Sequence, residues 1–120
     1  MKNNRENVLL SKSFVFAIRI VNLYKYLSSD KREYILSKQL LRSGTSVGAL
    51  IREAQNAESK KDFIHKLSIA QKECDETSYR LELLKETEFL NLSEFESMSA
   101  NSNEILKIIK SSILTIKQKL

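Results

Sequence analysis

The stretch LLRSGTSVGALIREAQ, residues 40–55, decides how this chain is read. It holds both glycines of the protein, Gly44 and Gly48, with Ser43, Thr45 and Ser46 around them. A phosphate-binding loop would need Gly-x-x-x-x-Gly-Lys-Ser/Thr after a strand, and neither the lysine nor the strand is here. Leu36, Leu40, Val47, Ile51 and Ala54 recur instead at helical spacing. The stretch therefore reads as helix interior, with Gly44 and Gly48 on one face. Glycine costs about 1 kcal/mol relative to alanine in a helix interior. Close approach of a neighbouring backbone offsets that cost, as in small-xxx-small packing. Ser43, Gly44, Ser46 and Gly48 are accordingly expected at a close helix–helix contact.

The rest of the chain agrees with an all-helical reading. Proline is absent, and the residues that build hairpin turns are scarce. A length of 120 residues favours one domain, 1–120. No apolar run approaches the roughly 20 residues of a membrane span, so no membrane role is expected. The N-terminus starts basic and turns apolar, but Lys12 and Arg19 interrupt it and no small-residue cleavage site follows. A single cysteine, Cys74, cannot close an internal disulfide, which fits a reducing cytoplasm.

Four periodic segments emerge, at about 6–27, 31–56, 60–88 and 94–120. In the first, Leu10, Phe14, Ala17, Val21 and Tyr24 make one apolar stripe. Leu9, Phe16, Ile20, Leu23 and Leu27 make a second beside it. So wide an apolar arc suggests burial against more than one neighbour, another subunit included. Asp30 with Glu33 resembles a capping box for the second helix. Ser59 is the expected cap of the third, which carries Phe63, Leu67, Ala70, Cys74, Thr77, Leu81 and Leu84. Ser93 with Glu96 is the expected box of the fourth, which continues through Met98, Ile105, Ile109, Ile113, Ile116 and Leu120. Its SANSN patch, residues 99–103, is a poor helix former and a candidate break. Short connections make consecutive helices antiparallel, giving an up-down-up-down four-helix bundle.

Catalytic chemistry finds little support. His65 is the sole histidine, and no Glu-x-x-His pair of the di-iron bundles occurs. Asp62 and His65 share a face but fall short of the about four ligands of a closed metal site. His65 and Cys74 lie about 13 Å apart along one helix axis and cannot form a catalytic pair within a subunit. Cys74 reads as a small buried hydrophobe. Glu73, Glu76 and Arg80 read as an ion-paired core edge. No catalytic residue, cofactor or metal is assigned.

Charge is more suggestive. Residues 1–52 carry ten Lys/Arg and three Asp/Glu, residues 53–96 six and eleven, and residues 97–120 four and one. Arg5, Lys12 and Arg19 follow a heptad spacing. Lys31, Lys38, Arg42 and Arg52 share a face pointing away from Leu36, Leu40 and Val47. Two such rows on adjacent helices suit phosphates of RNA or DNA, with Lys12, Arg19, Lys38, Arg42 and Arg52 as contacts that read no bases. They equally suit the acidic residues Glu82, Glu86 and Glu88 of another subunit. Solvated helix faces remain the third reading.

The segment from Leu36 to Leu90 resembles the 23S ribosomal RNA intervening-sequence proteins. The resemblance rests on Arg42, Ser43, Ser46, Val47, Gly48, Ala49, Ile51, Glu53 and Ala54. It continues through Ser59, Lys60, Asp62, Phe63 and Ile64, then Ile69, Ala70, Glu73 and Glu76. Leu50 stands where that family has asparagine, Arg52 where a small or apolar residue is common, and Arg80 where an aromatic often follows the tyrosine. The resemblance implies an antiparallel four-helix bundle assembling into a homo-oligomeric ring, a pentamer. Related accessory variability proteins of diversity-generating retroelements are similar basic bundles, associated with nucleic acid and reverse transcriptase. Two functions follow as expectations. One is a non-enzymatic oligomeric bundle binding RNA or DNA. The other is an adaptor ring docking a protein partner, such as a reverse transcriptase, without touching nucleic acid.

Overall fold

The computed structural model describes residues 4–120 and contains four helices: α1 (Asn4–Ser29), α2 (Leu36–Ala54), α3 (Lys60–Glu86) and α4 (Leu92–Lys117). The first three residues of the expected domain lie outside the described ones. Each helix packs on the next, and α1 closes the square against α4. The diagonal pairs, α1 with α3 and α2 with α4, bring no Cα atoms within 8 Å of each other among the described residues. Side-chain contacts give the direction of packing. Arg5 meets Thr115 while Arg19 meets Ser97, so α1 and α4 run antiparallel. Lys60 meets Lys119 while Cys74 meets Ser102, and α3 and α4 do likewise. The body measures 47 × 21 × 19 Å.

The core is an apolar column. Leu9, Phe16, Ile20 and Leu27 face Leu40, Val47 and Ile51, with Leu67, Leu81, Leu84, Ile105 and Ile109 completing it. In α1 the second stripe is the buried one. Phe14, of the first stripe, is 53% exposed. Periodicity cannot rank two adjacent stripes; the placement of α2 and α4 on either side of α1 does. By length and composition α1 also meets the threshold for crossing a membrane. Here its Leu9, Phe16, Ile20 and Leu27 are core residues of the bundle.

The glycine stretch is continuous helix within α2. At Gly48 an added Cβ would stand 3.2 Å from the Ser13 carbonyl oxygen, so the backbone of α1 approaches closely there. At Gly44 the neighbour is a side chain, Ile20, rather than backbone. Ser43 is buried and its Oγ accepts from Thr77 Oγ1 of α3 at 3.0 Å. Ser46 is half-buried, and its Oγ donates to the Arg42 carbonyl at 2.6 Å within α2.

Three local expectations are corrected. First, α2 begins at Leu36, five residues after the expected start at 31. The segment between is spent on a tight turn in which Arg32 adopts φ 53° and the Glu33 N–H reaches back to the Leu27 carbonyl. Asp30 therefore sits in the turn, and Glu33 alone caps α2, accepting from the N–H groups of Ile35, Leu36 and Ser37. Second, the capping box of α4 is Asn91 with Glu94, not Ser93 with Glu96. That start puts Leu90 and Phe95 at the staple positions flanking the first turn, and both join the core. Third, the SANSN patch does not break α4. Ser102 is fully buried and held by Cys74 and Ser78 of α3, so tertiary contacts offset its weak propensity. Ser59 does cap α3, accepting from the Asp62 N–H at 3.0 Å.

Candidate nucleic-acid interface

The five nominated cations do not form one surface. Lys12 and Arg19 lie in the seam between α1 and α4. Lys12 pairs with Glu104. The Arg19 guanidinium donates to Asn101 Oδ1, to Ser97 Oγ at 2.7 Å and to the Ser97 carbonyl at 3.3 Å. Arg5, one heptad earlier, donates to Thr115 Oγ1 at 2.7 Å. The heptad row thus becomes a polar zipper along the least extensive of the four helix contacts. A heptad places side chains on one helix flank, and that flank borders α4, with Lys12 still 44% exposed.

Lys38, Arg42 and Arg52 are exposed on the outward face of α2. Lys38 and Arg42 stand one turn apart, with no ion pair among the described residues. Glu53 is the only acidic residue of α2. Arg52 lays its guanidinium over the Phe14 ring, 5.5 Å from the centroid. The pair spans an open groove of about 400 Å³ between α1 and α2, floored by Ala17, Gly48 and Ala49. The absent side chain of Gly48 helps make that groove. Lys31 lies over Tyr26 at 5.9 Å, beyond the N-terminus of α2.

A further row, absent from the nominated residues, lies on α4, where Lys107, Lys110 and Lys117 are all exposed. The signal was present in the basic balance of residues 97–120, where Glu104 is the only acidic residue. Lys110 and Lys117 stand a heptad apart with Lys107 one turn earlier, so the spacing carried the signal as well.

Cys74 is completely buried, and burial pushes its thiol up, opposed by the hydrogen bond to Ser102. The thiol is therefore neutral and poorly nucleophilic. His65 is exposed on α3. Arg80 pairs with Glu76 at 3.5 Å. Glu73 leaves Oε2 buried without a hydrogen-bond partner. Among the described residues no three His, Cys, Asp or Glu side chains cluster to hold a metal ion.

Four packed helices with a glycine-thinned α1–α2 contact and cationic outer faces define a small all-α bundle with no assembled catalytic constellation among the described residues. A family profile described as 23S rRNA-intervening sequence protein matches residues 5–111, and the chain belongs to that family. It is also similar to the crystal structure of a protein of unknown function from the S23 ribosomal protein family of Bacteroides thetaiotaomicron. The two share 53% identity and a TM-score of 0.90, over 91% of this chain and 97% of that one. No curated protein matches the chain.

Proposed function

We propose that this protein is a non-enzymatic, homo-oligomeric helical bundle that binds RNA or DNA through backbone phosphates. The observation that carries the reading is the pair Lys38 and Arg42, exposed, a turn apart and without an ion pair on α2. Such cations displace the counterions condensed on a polyanion, and the released ions supply sequence-independent affinity. Lys12 and Arg19 have a different part, since their donors already serve α4. They hold α1 in place while α2 makes the contact.

Self-association has its own support. From Asn7 to Asn22 the outward face of α1 carries Asn7, Val8, Ser11, Phe14, Val15, Ile18 and Asn22, exposed and uncharged, with Lys25 following. Phe14 and Val15 are each 53% exposed and Ile18 47%. A face of this kind suits burial against another copy. The same face supports the second reading, a scaffold ring that docks a protein partner such as a reverse transcriptase and leaves nucleic acid untouched.

Fluorescence anisotropy with labelled DNA and RNA duplexes over a salt series tests the first reading. Affinity is expected to fall steeply with salt. Lys38→Glu/Arg42→Glu should lower the log–log slope by about 2, from roughly 0.9 per lost phosphate contact. Absence of binding by the wild type at low salt overturns it. Light scattering tests assembly: a pentamer is expected, and a monomer at micromolar concentration overturns that part. If Arg42→Glu dissolves the oligomer instead, the cations serve subunit contacts and the scaffold reading holds.

A further inference from the structure

We infer that the bundle has two polyanion-binding faces on opposite sides, α2 and α4, and bridges two nucleic-acid segments. The inference rests on the reading above for α2 and adds α4 to it. On α4 the residues after Glu104 include Lys107, Lys110 and Lys117 and no acidic side chain. All three lysines are exposed and none forms an ion pair among the described residues. Glu104 itself is engaged by Lys12, so its charge is already countered.

The first turn of α3 extends the patch. Lys60 Nζ donates to the Lys119 carbonyl oxygen at 3.4 Å, which brings exposed Lys60 and Lys61 to the end of the α4 row. From Lys107 to Lys117 the row covers about 15 Å at 1.5 Å per residue. That length runs beside about four phosphates of one DNA strand at 3.4 Å each. Lysines near a helix C-terminus also complement the macrodipole, but that effect fades within the last turn. It accounts for Lys117 and not for Lys107 or Lys110.

Topology makes the two faces separate. α2 and α4 are diagonal in the square, with no Cα atoms within 8 Å of each other among the described residues. They stand across a body 21 × 19 Å in section. One way around leads over α3, whose outward face sets exposed Asp75, Glu82 and Glu86 against Lys61 and Lys72. The other leads over the outward face of α1, uncharged from Asn7 to Asn22 with exposed Lys25 beyond it. A single segment following α2 meets more acidic than basic side chains among these on one side and no row of cations on the other. Each basic face therefore engages its own segment.

Bridging is read by energy transfer between donor-labelled and acceptor-labelled short DNA duplexes mixed with the intact protein at low salt. The wild type is expected to bring the two labels together. Lys107→Glu/Lys110→Glu should still bind duplex through α2 alone, at fewer duplexes per protomer than the wild type, with a weakened transfer signal. Lys38→Glu/Arg42→Glu should do the same from the other face. All four positions are exposed, and circular dichroism with sizing confirms that each variant keeps its fold and assembly. An α4 variant that binds and bridges like the wild type overturns the inference while leaving the α2 reading intact. An α4 variant that loses all binding overturns the two-face arrangement, because α2 then holds nothing alone. A wild type that binds no duplex removes both readings together.

Discussion

Ile20 fills the space that a side chain at position 44 would need: a Cβ on Gly44 would lie 2.7 Å from Ile20 Cγ1 and 2.8 Å from its Cδ1. Ile20 is fully buried and has nowhere to retreat. Gly44→Ala gains helix propensity of about 1 kcal/mol. It also overpacks the core, at about 1–3 kcal/mol. The expected result is net destabilisation in urea unfolding. Ile20→Ala in the same chain removes the clashing atoms, so the double variant should be more stable than the sum of the two single effects implies.

The cap of α2 makes a pH prediction. Partial burial works to raise the Glu33 carboxyl, but N–H groups of Leu36, Ser37 and Ile35 outweigh it and hold it below its ordinary value. A carboxyl whose folded value is depressed contributes stability above its unfolded value, and loses it as pH falls through the folded one. Glu33→Gln should therefore cost about 0.5–2 kcal/mol at neutral pH, the range for a lost cap. The gap from wild type should close as pH drops below about 4. Thermal melts across pH 2–7 measure it, and a constant gap would contradict the assignment.

Arg19 separates structure from binding. Its contacts to Ser97 and Asn101 hold α1 on α4. Arg19→Ala should lower stability by about 1.5–3 kcal/mol, the range for hydrogen bonds from a charged donor. Its effect on duplex affinity at low salt should be smaller than that of Lys38→Glu/Arg42→Glu. Equal loss of affinity from both would place Arg19 in the interface.

At the end of α3, Glu88 adopts φ 68° while the Phe89 N–H reaches the Leu84 carbonyl at 2.9 Å. A left-handed conformation costs a non-glycine residue about 1–2 kcal/mol. A carboxylate at a helix C-terminus also opposes the dipole. Glu88→Gly should therefore raise stability, by up to about 1 kcal/mol after the added freedom of the unfolded chain is deducted. Denaturant midpoints report the shift.

Cys74 should resist thiol reagents in the native protein and react once it unfolds. Its sulfur is buried beside Ser102. Labelling by a maleimide during a urea titration should follow the unfolding curve. Rapid labelling without urea would mean that α3 and α4 part readily.

Much of this architecture is written in local chemistry. The 3.6-residue period of Leu67, Ala70, Cys74, Thr77, Leu81 and Leu84 marks the buried face of α3, and all six are buried. Ser59 ahead of Asp62 marks where that helix starts, because a hydroxyl cap acts on the turn directly beyond it. Gly44 and Gly48 mark the thin face of α2, since few other conditions tolerate two glycines in one helix.

The remainder required partners distant in the chain. Asn91–Glu94 and Ser93–Glu96 fit a capping box equally well, and burial of Leu90 and Phe95 selects the first. The flank of α1 holding Arg5, Lys12 and Arg19 is visible as a heptad, but its meeting with Ser97, Asn101, Glu104 and Thr115 depends on how α4 returns. The amino-acid order by itself determined four helices and their apolar faces, because periodicity and caps act within a few turns. Only the tertiary structure decided which cations remain for a ligand. A charged side chain is free or engaged according to what stands across from it, and for α1 that is a helix about eighty to a hundred and ten residues further along the chain.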